Sequence, residues 1–127
     1  MIFAPIDIED VLRTELSTES VPVFAPPIPD NLESRVPCAR VRRTGGGKTS
    51  LVVDSSSVVI DTWAETDAEA MAIANDLAGA LTQLQFTHPR ITQVSFMALP
   101  YQNNDPSHPT LCRAAFMAQI YSTSERS

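Results

Sequence analysis

Residues 57–84, SVVIDTWAETDAEAMAIANDLAGALTQL, decide the fold, because a strand and a helix meet inside them. Val58, Val59, Ile60, Thr62 and Trp63 are β-branched or aromatic, side chains that fill a pleated surface, and the run predicts a strand. Thr66 followed three residues later by Glu69 predicts a capping box, in which the threonine hydroxyl takes an orphan amide of the first helical turn and the glutamate reaches back. The switch falls near Glu65. From Ala68 onward Ile73, Ala74, Leu77, Ala78, Leu81 and Leu84 recur at three and four residues, which draws one apolar stripe along a helix of roughly five turns. That stripe needs a surface to cover. A sheet of the same chain supplies one, and Ala70, Ala74, Ala78 and Gly79 allow close approach; the alternative is that part of the helix meets a neighbouring subunit.

Upstream of this unit, residues 6–16 read as a short amphipathic helix, with Ile6, Ile8, Val11, Leu12 and Leu16 available to dock and Asp7, Glu9 and Asp10 near its positive end. Val21 to Phe24 suits a short strand. Pro26, Pro27 and Pro29 then interrupt regular hydrogen bonding, so residues 22–36 are expected to form an extended arm or a rigid loop. Val36 to Arg43 is strand-like, TGGGKTS is expected to turn the chain, Leu51 to Val53 to resume extended structure, and Asp54 to Ser57 to turn or bulge. Downstream, Phe86 to Arg90 reads as a loop and Ile91 to Leu99 as a strand ended by Pro100. YQNNDPSHP reads as a protruding polar connection, and Leu111 to Tyr121 as a strand with Cys112, Ala114, Phe116, Ala118 and Ile120 inward. Residues 122–127 are expected to fray.

The order predicts a single α+β domain over residues 1–127: a mostly antiparallel sheet covered by one long helix, with a short N-terminal helix and a proline-rich arm, and no second core. Trp63, Ile73, Leu77, Leu81, Phe96 and Phe116 are its expected scaffold. At 127 residues the chain is large enough to bury roughly two-thirds of its extended surface. Nine basic against fifteen acidic residues give a net charge of -6, which disfavours a nonspecific nucleic-acid surface. Cys38 and Cys112 are too few for a disulfide scaffold and are expected as free thiols. The start MIFAPIDIED carries acids where a signal peptide has a basic region, and no apolar run reaches the length of a membrane span. The expectation is a chain made and used in a reducing cytosol, or in an assembly built there.

GGGKTS invites a phosphate-loop reading, which fails on spacing. The first glycine of G-x-x-x-x-G-K-[ST] belongs at position 42, which is Arg42, and a strand rather than a helix follows Lys48. His88 and His108 sit beside prolines without metal-ligand spacing and read as surface side chains, so neither a metal nor a cofactor is expected. No nucleophile has a base-bearing setting. Arg40, Arg42, Arg43 and Lys48 are the basic concentration, expected to project from one sheet face beside the glycine turn. Without interleaved aromatics, direct nucleic-acid binding is a weaker reading than an interfacial charge pair.

VPCARVRRTGGG, then VVIDTWAETDAEAMAIANDLAGAL, then ALPYQNNDPSHPTLCRAAFMAQIYS resemble, in this order and spacing, the tail terminator proteins of long-tailed bacteriophages, also called tail completion or tail-to-head joining proteins. The resemblance covers most of residues 36–123 and leaves out the N-terminal arm. It implies a structural virion subunit, not an enzyme. Such a subunit forms a hexameric ring on the head-proximal end of the tail tube, stops tube polymerisation, and presents a surface to head-completion or neck proteins. It implies assembly in the host cytoplasm, with tail tube protein as a second partner and no membrane. By the match, Arg40, Arg42, Arg43, Gly45, Gly46, Gly47 and Lys48 would lie on or beside a protruding loop near a ring face or the central opening. Residues 105–109, with Asp105 and His108, would lie in the second hairpin's loop. A head-completion or neck protein of related architecture would use many of the same surfaces.

Overall fold

The computed structural model describes the backbone of residues 3–27 and 30–126. Its elements run β1 (Phe3–Ala4), α1 (Ile8–Leu16), β2 (Val23–Phe24), a 3-10 turn (Leu32–Ser34), β3 (Cys38–Lys48), β4 (Val53–Ala64), α2 (Asp67–Thr87), β5 (Ile91–Gln102), β6 (Cys112–Thr123) and β7 (Glu125–Arg126). Five strands form one sheet in the order β2-β3-β4-β6-β5, and β1 pairs with β7 apart from it. All pairings are antiparallel except β2 with β3. The chain is α+β, with a mixed, mostly antiparallel sheet and two helices.

Each helix starts on a side-chain cap. Asp7 accepts the Asp10 amide at 3.1 Å at the start of α1, and Thr66 Oγ1 accepts the Glu69 amide at 3.2 Å at the start of α2. Ile8, Leu12 and Leu16, spaced by four, are the buried line of α1. Ala70, Ile73, Ala74, Leu77, Leu81 and Leu84 are the buried line of α2. These lines meet Ala39, Val41, Val58, Ile60, Ala114, Phe116, Ala118 and Ile120 in the main core, with Phe96 packed at its margin. Alternation then puts Arg40, Arg42, Val59, Asp61, Ala115 and Met117 on the other face of the sheet. Trp63 departs from the expected scaffold: it joins Leu32, Cys38 and Leu111 in a second small apolar cluster, where one core was expected.

The glycine run is not a turn. Gly45, Gly46 and Gly47 continue β3 and pair with Ser57, Ser56 and Ser55, and Lys48 pairs with Asp54. The reversal falls on residues 49–52, where the Thr49 and Ser50 amides both donate to the Val53 carbonyl at 2.8 and 3.1 Å. Of the strand expected at 51–53, Leu51 and Val52 lie in the turn and only Val53 is strand, while the turn expected at 54–57 is strand. Glycine marks close backbone approach inside a strand as readily as a turn. A register shift lies between Arg43 and Gly45, and Gly46 has φ +141°, where an added Cβ would stand 2.1 Å from the Ser55 carbonyl oxygen.

Pro100 lies inside β5, not at its end. β5 is an edge of the sheet, where a missing N–H need cost no ladder bond, and register shifts between Phe96 and Ala98 and between Ala98 and Tyr101 accommodate the irregularity. α2 runs to Thr87, past the expected loop start at Phe86, and closes with the His88 amide donating to the Leu84 carbonyl at 2.8 Å just before Pro89. Ser122 and Thr123, expected to fray, finish β6. Ser124 is buried and its amide donates to the Val52 carbonyl at 2.7 Å, after which β7 pairs with β1; Ser127 lies outside the described residues. Of the expected arm, residues 28 and 29 also lie outside them. The remainder holds β2, parallel to β3 in the otherwise antiparallel sheet, and the 3-10 turn that buries Leu32.

Candidate functional site

The basic cluster is split between the two faces of the sheet. Arg40 and Arg42 stand on the face opposite the helices. Arg43, paired with Val58, and Lys48, paired with Asp54, stand on the helix side. Two of these four charges are already matched. Arg40 donates from Nη2 and Nε to Asp61 Oδ2 at 2.6 and 3.2 Å, and its guanidinium lies 5.4 Å from the Trp63 ring centre. Asp61 is 2% exposed, so this pair is held mostly out of water. Lys48 Nζ donates to Asp54 Oδ1 at 2.8 Å and to Ser124 Oγ at 2.7 Å, and Ser124 Oγ donates to Asp54 Oδ2 at 2.7 Å.

Burial alone would push the Asp54 carboxyl up. The bonds from Lys48 and Ser124, with the charges of Lys48 and Arg43, outweigh it and hold the group below the usual aspartate range. Arg43 contributes its backbone amide to Glu9 Oε2 at 2.9 Å and its Nε to Ser56 Oγ at 3.4 Å. These groups border a cavity of about 380 Å³ whose wall also carries Asp7 and Glu9. Acids and bases both line it, which suits a polar strut better than a phosphate cradle. Arg42 differs: its Nε is buried without a hydrogen-bond partner among the described residues.

Asp105 and His108 do not form a protruding patch. Asp105 is 8% exposed and turns inward. It accepts from the Ser107 amide at 2.9 Å and from Trp63 Nε1 at 3.3 Å, and lies 2.8 Å from His108 Nδ1 and 3.7 Å from Arg113 Nη1. Burial raises its pKa, but the His108, Ser107 and Trp63 bonds and the Arg113 charge carry it lower than usual. The residues tie the 103–111 loop to Trp63. His88 is also partly buried, its Nδ1 accepting the Arg90 amide at 3.1 Å. Both histidines thus depart from the expected surface setting.

Cys38 and Cys112 are free. Burial pushes the Cys38 thiol up to about 11, and the Asp67 carboxylate raises that of Cys112. Among the described residues no group of three or more His, Cys, Asp and Glu side chains is placed to hold a metal ion, and no helix is long and apolar enough to cross a membrane.

The surface that sequence reasoning missed is apolar. Phe86, Met97, Leu99 and Tyr101 are 75%, 51%, 71% and 39% exposed. They belong to a segment from Leu77 to Asn104 in which Arg90 is the sole Asp, Glu, Lys or Arg. The charge gap was visible in the sequence; the exposure was not, because Ile91 to Leu99 reads equally well as a strand with one face buried. Leu51 and Val52 are exposed as well, at the tip of the β3–β4 hairpin. Compared with protein-family models the chain matches none, and comparison with curated proteins likewise gives no match.

Proposed function

We propose that this chain is a structural subunit of a long-tailed bacteriophage, a tail terminator that assembles into a ring, ends tail-tube polymerisation and offers the tail-side surface for head attachment. The observation that carries the reading is the exposed set Phe86, Met97, Leu99 and Tyr101 in a nearly uncharged segment. Apolar side chains outside the core, with charges depleted around them, are the composition of a protein contact. The resemblance of the three stretches between residues 36 and 123 supplies the kind of assembly. Arg40 pairs with Asp61 and Lys48 with Asp54, and Arg42 and Arg43 stand on opposite faces of the sheet, so no single basic face is offered to nucleic acid, which also favours a protein partner.

On this reading α2 is the cover that closes the sheet on one side, and residues 22–36, the expected arm, stay on their own domain through β2 and the buried Leu32. The ring is a hexamer and turns over no substrate. Electron microscopy of particles produced without this protein tests the role. Overlong tails, or tails of finished length without heads, are the expected result; normal tails joined to heads would refute it.

A further inference from the structure

A second apolar feature lies in the helix layer, between α1 and α2. Leu16 and Val21 on one side and Ile73, Leu77 and Ala80 of α2 on the other wall a groove of about 310 Å³. An apolar cavity of about 150 Å³ holds a benzene ring, so the groove has room for an aliphatic side chain. It opens between α1, which packs over β2 and β3, and α2. β5 is the edge of the sheet farthest from β2. Met97 and Leu99 fall at two of the three register shifts of that edge, where extra residues leave the ladder, and both are exposed. The chain therefore carries an apolar recess in its helix layer and apolar projections on its β5 edge.

Their charges are complementary. Asp76 lines the groove, and Glu15 and Glu19 stand exposed on its α1 side. The β5 flank bears no acid, and its one formal charge is Arg90, at the foot of the strand. A second copy of this chain fits both requirements. We infer that the β5 flank of one copy, led by Met97 and Leu99, seats in the groove between α1 and α2 of the next. The inference rests on the ring reading above and names the surfaces that close it. Two different surfaces make a heterologous, head-to-tail contact, which forms a ring when its rotation closes.

Light scattering on size-separated protein tests this with Leu99→Asp and Ala80→Arg, both at exposed positions, so that neither enters the core. The wild type runs as a ring, and each variant alone loses association and runs as a monomer with an unchanged circular dichroism spectrum. If Leu99→Asp alters that spectrum, Met97→Gln with Leu99→Gln replaces it. Mixed together, the variants form dimers and no rings, because the intact groove of one accepts the intact flank of the other. Variants that both stay in rings overturn this contact and leave the ring reading standing. So does a mixture that stays monomeric, which overturns the head-to-tail pairing. A wild type that is monomeric both free and with isolated tail tubes overturns both.

Discussion

Replacing Gly46 with alanine separates a glycine that the backbone requires from two that it tolerates. An alanine Cβ at 46 would lie 2.1 Å from the Ser55 carbonyl oxygen, 2.9 Å from Ser56 Cα and 3.0 Å from Arg43 Nη2. Carbon–oxygen contacts normally stop near about 3.3 Å, so the β3 and β4 backbones must part by roughly 1 Å or β3 must twist. A non-glycine residue at φ +141° adds strain of about 1–2 kcal/mol, and overpacking of this kind costs about 1–3 kcal/mol. The sum, about 2–5 kcal/mol, is a large part of the ~5–15 kcal/mol that stabilises a typical domain. It corresponds to a fall in Tm on the order of 10 °C for a chain of this size. At Gly45 and Gly47 an added Cβ meets nothing within 4 Å, and alanine there should stay within about 0.5 kcal/mol of wild type. Urea unfolding followed by the fluorescence of Trp63, the one tryptophan, measures all three. A Gly46→Ala protein within about 0.5 kcal/mol of wild type would refute the reasoning, as would equal losses at all three positions, which is the behaviour of a free loop.

Removing Arg40 as Arg40→Ala leaves Asp61 nearly buried without its guanidinium and should cost about 3–5 kcal/mol, whereas Arg40→Met combined with Asp61→Leu should recover most of the loss. Unfolding curves in which the double variant is no better than the single one would exclude that account. Asp105 has a folded-state pKa below its unfolded value near 3.9, so its carboxylate contributes stability above that pH and loses the contribution as pH falls through the folded pKa. The stability of Asp105→Asn should therefore vary less with pH below about 4 than that of wild type, and parallel curves would argue against it. With its thiol raised to about 11, Cys38 should react with a thiol reagent at pH 8 far more slowly in the folded protein than in urea; equal rates in the two states would contradict its burial.

Periodic segments were legible because their signal is local. The stripe from Ile73 to Leu84, the Thr66 cap and the alternation from Ala114 to Ile120 each declare their geometry within a few residues. What escaped depends on partners far along the chain. Gly45 to Gly47 suit a turn or a strand equally well, and the serines at 55–57 opposite them decide for the strand. Pro100 is tolerated because β5 ends up at an edge, a property of strand order. The serine-rich tail is held by Asp54, which Ser124 reaches across seventy positions. Asp105 looks like a solvated loop acid until Trp63 and His108 close on it. The arginines divide between faces by plain alternation, which was readable for Arg40 and Arg42, but Lys48 joins Arg43 only because the strand runs on through a register shift.

The short ladder between β1 and β7 sets Phe3 beside Arg126. Paired strands lie about 5 Å apart, so a few flexible residues would suffice to splice the end of β7 to the start of β1. The chain could then be reopened in the 49–52 turn, between strands that stay paired, giving a circular permutant with the same sheet in a new reading order. Labels or purification handles joined ahead of β1 or after β7 would leave the domain from one place, and a single attachment geometry would serve both.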